Sequence, residues 1–252
     1  MPTVPVDVVT APAKLTVSLR ITGVRADGYH LIDAEMVSID LADDLVFAAG
    51  DGLEVVGATG LAVPADDDNL VRRALRLAGR TAHVTLTKRI PAGAGLGGGS
   101  ADAAAVLRWA GIDDLDLAAQ LGADVPFCVR GGRARVTGVG EHLEPLPHID
   151  RTFTLVTPPF GCSTPAVYRA WDDLGGPSGH GPNDLEAAAL AVEPELARWR
   201  DRLGEASGQQ PVLAGSGSTW FVEGDFPQAG RVVHSVPAQD RPAGLDRRPT
   251  SL

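Results

Sequence analysis

Lys88-Arg89-Ile90-Pro91-Ala92-Gly93-Ala94-Gly95-Leu96-Gly97-Gly98-Gly99-Ser100-Ala101-Asp102-Ala103-Ala104-Ala105-Val106-Leu107 is the stretch that decides how this chain is read. Gly93, Gly95, Gly97, Gly98 and Gly99 stand between a strand-like run and a helix that the pattern opens at Ser100. Backbone without side chains can adopt positive φ and come close to a ligand, and the N–H groups and positive dipole at a helix start favour an anion. The predicted helix is capped by Ser100, carries Asp102 in its first turn and stops at Gly111. Ala101, Ala103, Ala104 and Ala105 keep it slim enough to pack closely on a sheet. Together these features point to a loop that holds phosphate.

Other phosphate loops do not fit. A Walker loop ends in Gly-Lys-Ser/Thr, whereas this run ends in Gly-Gly-Ser with its lysine ahead of the glycines. Gly93, Gly95 and Gly98 match dinucleotide spacing, but that fingerprint needs a second strand ending in an acid about 20 residues on. Gly111 to Leu121 reads instead as turn and helix. A protein-kinase loop would be followed by His-Arg-Asp and Asp-Phe-Gly, and neither occurs in the chain.

Lysine usage adds a second pointer. Of 22 basic residues only Lys14 and Lys88 are lysines. A compact ammonium meets phosphate as a point charge with a tunable pKa, which a planar guanidinium cannot reproduce. Around Lys14 the pattern alternates, with Leu15, Val17, Leu19 and Ile21 on one face of a strand and Lys14, Thr16, Ser18 and Arg20 on the other. Arg25-Ala26-Asp27-Gly28 then makes a turn, and Tyr29-His30 opens a second extended run that reaches Leu41. Taken alone, a Tyr-His pair after a turn is half-buried packing, and Asp124 ahead of Val125-Pro126 is a loop or capping residue.

Five segments change that weighting. Pro12-Ala13-Lys14-Leu15-Thr16, Asp27-Gly28-Tyr29-His30, the glycine run, Gly122-Ala123-Asp124-Val125-Pro126-Phe127 and Gly215-Ser216-Gly217-Ser218-Thr219 follow the order and rough spacing of the GHMP small-molecule kinases. The chain resembles that superfamily from about Pro12 to Val222, and its second and fourth segments are most similar to the branch acting on a cytidine-diphosphate-linked sugar alcohol. The resemblance implies an α+β, two-lobed GHMP kinase fold with the active site in the cleft between lobes. It also implies ATP-dependent phosphorylation of the 2-hydroxyl of 4-diphosphocytidyl-2-C-methyl-D-erythritol, in the methylerythritol phosphate route to isoprenoids.

Residue by residue, the resemblance makes Asp124 the base that takes the hydroxyl proton and Lys14 the cation that orients it and offsets charge on the transferred group. Asn69 falls near the adenine. Lys88 and Pro91, Ala92, Gly93, Ala94, Gly95, Leu96, Gly97, Gly98, Gly99, Ser100 and Ala101 wrap ATP. Thr16, Tyr29, His30, Tyr168, Gly215, Ser216 and Gly217 fall on the substrate side, with Tyr29 and His30 at the cytosine. Mg²⁺ is implied with ATP, held by phosphates and water with few protein ligands. Three residues depart from the pattern: Thr16 replaces the usual asparagine, Ala101 a second serine and Ser218 a proline. Thr16 keeps two other readings open, a GHMP kinase for a different small alcohol and a catalytically idle nucleotide-binding relative.

The bulk properties set the frame. The 252 residues, 44% of them hydrophobic, allow one large or two modest domains. The expected lobes are 1–143 and 144–252, the second ending in a poorly ordered tail from about Arg231. A net charge of −10 and a pI near 5.0 argue against a nucleic-acid or anionic-membrane partner. The start has no basic n-region with an apolar core, and no apolar run approaches ~18 residues, so the expected location is cytoplasmic, as a monomer or homodimer. Cys128 and Cys162 read as reduced, buried thiols, and the histidines lack metal-ligand spacing. Asp66-Asp67-Asp68 reads as a solvated turn and helix cap. Strands are expected near Val4, Lys14 to Thr22, His30 to Leu41, Leu45 to Ala48, His83 to Arg89, Phe153 to Thr157, Pro211 to Leu213 and Thr219 to Val222. Helices near Leu70, Ser100, Pro165, Asn183 and Leu196 complete an α+β pattern, with 175–181 as the most flexible loop.

Overall fold

Two long antiparallel strands, β1 (Asp7–Val24) and β2 (His30–Ala48), form the spine of the larger sheet in the computed structural model, which describes residues 6–57, 61–176 and 181–238. The chain continues through β3 (Gly52–Val56), α1 (Leu70–Leu77), β4 (His83–Thr87), α2 (Gly98–Trp109), α3 (Leu115–Ala119), α4 (Val125–Arg130), β5 (Arg133–Gly138) and β6 (His142–Leu146). A second group follows: β7 (Thr152–Val156), α5 (Thr164–Asp173), α6 (Glu186–Val192), α7 (Leu196–Ser207), β8 (Val212–Leu213), β9 (Trp220–Glu223) and β10 (Arg231–His234). The first sheet runs β3-β4-β2-β5-β6 with β1 on the other edge of β2, and the second runs β10-β7-β9-β8. The architecture is α+β, as the sequence pattern indicates.

β4 pairs with Asp44 to Ala48 of β2 and β5 with Ile32 to Val37, so both share one edge and leave a gap between them. That gap is closed by the Gly132 carbonyl, which accepts from Ser38 N at 2.7 Å, and by the end of β10, where Val236 N donates to Ser38 O at 2.9 Å. On the outer edge of β1, Leu19 N donates to Pro182 O at 2.8 Å and Asp184 N to Leu19 O at 3.0 Å. The Asp184 carboxylate adds bonds to Ile21 N and the Arg20 guanidinium. The second half of the chain is thus joined to the first sheet at two backbone seams.

The alternation expected along β1 breaks at a bulge. Pairing passes from Thr16–Met36 to Ser18–Glu35, so β1 carries one extra residue at Val17. The side-chain phase flips there: Leu15 and Leu19 are buried, Val17 and Ile21 only half-buried, and Leu19 joins Lys14 and Thr16 on the cleft wall. Lys14 and Thr16 are themselves buried, so this polar face points into the molecule.

α2 starts two residues before the expected Ser100. Gly97, at φ +69°, turns the chain into the helix, and Ala101 N already donates to Gly97 O at 2.8 Å. Ser100 therefore sits inside the first turn rather than capping it. Ala101 to Leu107 are all buried, which the run of alanines allows by letting the helix lie close to β1, α1 and α4. α1 is capped by Asn69, whose Oδ1 accepts from Val71 N at 2.9 Å, rather than by Asp66 to Asp68.

β3, β5, β6 and β10 are absent from the sequence reading. β6 pairs with β5 through Leu146, so the first sheet outruns the expected 143/144 boundary, which falls inside this strand. β10 lies in the segment expected to open the tail. The strand expected near Val4, most of the tail and residues 177–180 of the expected flexible loop lie outside the described residues. Among the described residues no helix is long and apolar enough to cross a membrane.

Candidate active site

A cleft of about 1120 Å³ is bordered by β1, the glycine run, the start of α4, the first turns of α5 and the Gly215-Ser216 loop, drawing on both halves of the chain. The glycine run is shaped by close approach. A Cβ at Gly95 would collide with the Ala214 carbonyl and come within 2.7 Å of the Gly217 carbonyl, and one at Gly97 would lie 2.7 Å from Lys14 Cγ. Both positions have positive φ, at +77° and +69°. The first amides of α2 have no intrahelical acceptor and open onto the cleft beside Gly98, Gly99 and Ser100. Ala101 turns into the core instead, at 1% exposure.

Lys14 lies directly behind this loop. Its Nζ stands 3.3 Å from Asp124 Oδ2 and donates to Thr16 Oγ1 at 3.0 Å, while its backbone N–H donates to Leu96 O at 3.0 Å. The Lys14 side chain is 7% exposed and that of Asp124 32%, so a buried cation holds a carboxylate that stays accessible. Asp124 occupies the residue before α4 but makes no side-chain cap bond. Its carboxylate faces Lys14, and the capping alternative does not hold. Gly215 packs over the pair: a Cβ there would be 3.5 Å from Lys14 Nζ and 3.6 Å from Thr16 Oγ1. Buried Asn183 holds that loop by donating Nδ2 to Leu213 O at 2.8 Å and to Gly215 O at 2.7 Å. Ser216 Oγ bonds Thr164 Oγ1 at 2.8 Å, and Gly217 sits behind them against Gly95.

Lys88 borders the cleft with its ammonium directed to two buried carboxylates. Nζ donates to Asp43 Oδ2 and, at 2.7 Å, to Asp102 Oδ2. Burial opposes its charge, but Asp102 and Asp43 outweigh this and hold the Lys88 pKa above the ordinary lysine value. Burial pushes Asp102 up to about 7, helped by Asp43 and opposed by Lys88. Asp102, expected as a dipole partner at the helix start, is therefore an internal ion partner, and its Oδ1 has no hydrogen bond. Both ends of the Asn69 amide are engaged as well, Oδ1 as the α1 cap and Nδ2 on Pro64 O at 2.6 Å.

At the far end of the cleft Tyr29 is 61% exposed, with the Arg25 guanidinium 5.4 Å from its ring centroid. His30 is enclosed between Tyr168, at 4.8 Å between centroids, and Trp171, at 5.4 Å and 85°. Its Nε2 lies 2.8 Å from Asp172 Oδ1. Burial, with a contribution from the Asp124 charge, raises the Tyr168 hydroxyl well above the usual tyrosine range. Asp172, Arg169, Asn183 and Asp43 all shape the cleft without having been singled out. For Asp172 the available signal was its spacing, four residues after Tyr168 on one helix face.

Cys128 and Cys162 are both free and buried, and burial pushes their thiols up to about 12 and about 11. Burial thus favours the neutral thiol at both positions, the less nucleophilic form. Among the described residues no group of three or more His, Cys, Asp or Glu side chains is placed to hold a metal ion.

Residues 69–132, which carry the glycine loop, α2 and Asp124, match the family described as GHMP kinases N terminal domain. A 4-diphosphocytidyl-2-C-methyl-D-erythritol kinase of Paracoccus denitrificans is 42% identical over 235 residues, 84% of each chain. One from Ruegeria pomeroyi is 38% identical over 257 residues, 90% of this chain and 91% of its own. The crystal structure of a 4-(cytidine 5'-diphospho)-2C-methyl-D-erythritol kinase matches with a TM-score of 0.72 at 33% identity, covering 91% of this chain and 98% of that one. A homoserine kinase from Cytophaga hutchinsonii, at TM-score 0.55 and 16% identity over 95% of this chain and 97% of that one, shares the fold alone. The chain belongs to the family of 4-diphosphocytidyl-2-C-methyl-D-erythritol kinases.

Proposed function

We propose that this chain transfers the γ-phosphoryl group of ATP to the 2-hydroxyl of 4-diphosphocytidyl-2-C-methyl-D-erythritol. The observation that carries the reading is the accessible Asp124 carboxylate held 3.3 Å from the buried Lys14 ammonium, directly behind the glycine loop. Phosphoryl transfer asks little covalent work of a protein; it needs reactants in line, a base for the hydroxyl proton and positive charge near the transferred group. Asp124 takes the proton. Lys14 keeps that carboxylate in place and offsets charge on the phosphoryl oxygens, and Thr16 Oγ1 accepts a second hydrogen bond from the ammonium at 3.0 Å.

The loop suits a triphosphate, because Gly95 and Gly97 leave no room for a Cβ and the α2 amides open beside them. The Ser100 hydroxyl borders the loop and is a hard oxygen donor of the kind Mg²⁺ accepts, with phosphate and water as its main ligands, which leaves Asp124 free to act as the base. When bound, Mg²⁺ neutralises charge developing on the phosphoryl oxygens. Tyr29, His30 and Tyr168 supply aromatic faces and a ring nitrogen for the cytosine. Lys88 supports the loop from below through Asp43 and Asp102. A cytoplasmic enzyme, monomeric or homodimeric, belongs to the same reading.

The test is ATP consumption by the purified chain against the cytidine-linked alcohol, homoserine and mevalonate in parallel. Turnover is expected with the first compound. Turnover confined to another alcohol, or with none, refutes the proposal.

A further inference from the structure

His30 is the one cleft imidazole among the described residues, and its side chain is only 9% exposed between the Tyr168 and Trp171 rings. Its Nε2 lies 2.8 Å from Asp172 Oδ1, a contact that joins β2 to α5 across 142 residues of chain. An ionised carboxylate can only accept, so a neutral imidazole in this contact carries its proton on Nε2. Nδ1 is then left with a lone pair, and among the described residues no hydrogen bond occupies it. Packing against two aromatic rings holds the ring plane, so the carboxylate governs which nitrogen bears the proton.

A cytosine edge offers an exocyclic amino donor where a uracil edge offers a carbonyl acceptor. A ring nitrogen that can only accept pairs with the first and opposes the second. We propose that Asp172 is a positioning residue which fixes His30 as its Nε2–H tautomer, making Nδ1 an acceptor that selects an amino-bearing pyrimidine. This inference rests on the cytidine-linked substrate proposed above. Removing the carboxylate frees both tautomers, so the discriminating acceptor is present only part of the time and a donor takes its place for the rest. The Asp172 side chain is 48% exposed, and its truncation leaves the core untouched.

The experiment uses the full chain and its Asp172→Ala variant, with long-range proton–nitrogen NMR correlations of the imidazoles, His30 being assigned through His30→Gln. In parallel, kcat/KM is measured with the cytidine-diphosphate and uridine-diphosphate forms of the alcohol. In the unaltered protein His30 is expected as the Nε2–H tautomer, with the cytidine form strongly preferred. In Asp172→Ala the tautomers mix, and the cytidine-over-uridine ratio falls about tenfold, the scale of one net hydrogen bond. An unchanged tautomer in Asp172→Ala overturns the inference whatever the substrate proves to be. An equal loss with both nucleotide forms also overturns it, since that is what a purely structural role would give. Failure of the unaltered protein to use either form refutes the proposed function instead, and the ligand-free tautomer measurement then decides the role of Asp172 by itself.

Discussion

Gly97→Ala is the substitution for which the structure gives the most definite outcome. The new Cβ would stand 2.7 Å from Lys14 Cγ and 3.1 Å from Lys14 Cε, both inside contact distance. Lysine stems usually swing away from such a clash. This one cannot, because its side chain is 7% exposed and its ammonium is held by Asp124 and Thr16. The backbone adds its own cost, since φ at this position is +69° and a left-handed conformation costs a non-glycine residue roughly 1–2 kcal/mol. Strain and clash together should destabilise the fold by about 2 kcal/mol and lower Tm by roughly 4–8 °C for a chain of this size. Displacing the ammonium from the base should cost a further factor of about 10² in kcat, and ATP should bind more weakly because α2 begins at this residue. Thermal melting, ATP calorimetry and steady-state kinetics on one preparation test all three. A folded Gly97→Ala protein with normal ATP affinity and normal kcat would refute the coupling of loop, helix start and Lys14 argued from this geometry.

Asp124→Asn should lower kcat by about 10²–10⁴ with ATP affinity nearly unchanged, and Lys14→Arg should fail to restore what Lys14→Ala loses; near-normal turnover in the first variant would remove Asp124 as the base. Tyr29→Ala should raise KM for the cytidine-linked substrate by an amount matching roughly 1–3 kcal/mol while KM for ATP stays put, and Tyr29→Phe should keep most of the affinity; equal losses for both ligands would make Tyr29 a packing residue. Asp102 is held at about 7 against an ordinary 3.8, so folding favours its neutral form; that contribution is complete below about pH 4 and is lost as pH rises through 7. Asp102→Asn should therefore be more nearly constant in stability than the unaltered chain between pH 4 and 7 in denaturant titrations, and parallel curves would contradict the assignment.

The parts of the site legible in sequence are those built from local chemistry. Glycine needs no partner to announce a left-handed turn, so the tight loop with positive φ at Gly93, Gly95 and Gly97 could be read from residue type alone. The adjacency of Lys14 and Thr16 follows from strand period, but the place of Leu19 does not, because the bulge at Val17 exists only through pairing with β2. Ser100 looked like a cap because its residue type caps helices; the positive φ of Gly97 started the helix earlier. β5 was hidden by its charges. Arg133 and Arg135 break an apolar pattern, yet they are satisfied across the sheet by Glu35 at 2.8 Å and Asp33 at 2.7 Å. Asp172 and Asn183 escaped for a related reason: each acts on a partner far along the chain, His30 in one case and the Leu213 and Gly215 carbonyls in the other.

The segment 182–184 has a mechanical consequence. It bonds to the Leu19 backbone on one side, and through Asn183 it carries the loop that covers Lys14 on the other. With the Ser38–Val236 seam on the opposite edge of the same sheet, the two halves are stitched along both margins of the spine. Such a molecule cannot open like a book without tearing main-chain bonds. The end of the cleft where Tyr29 and Asp172 stand in solvent is the entry route that costs no main-chain bond.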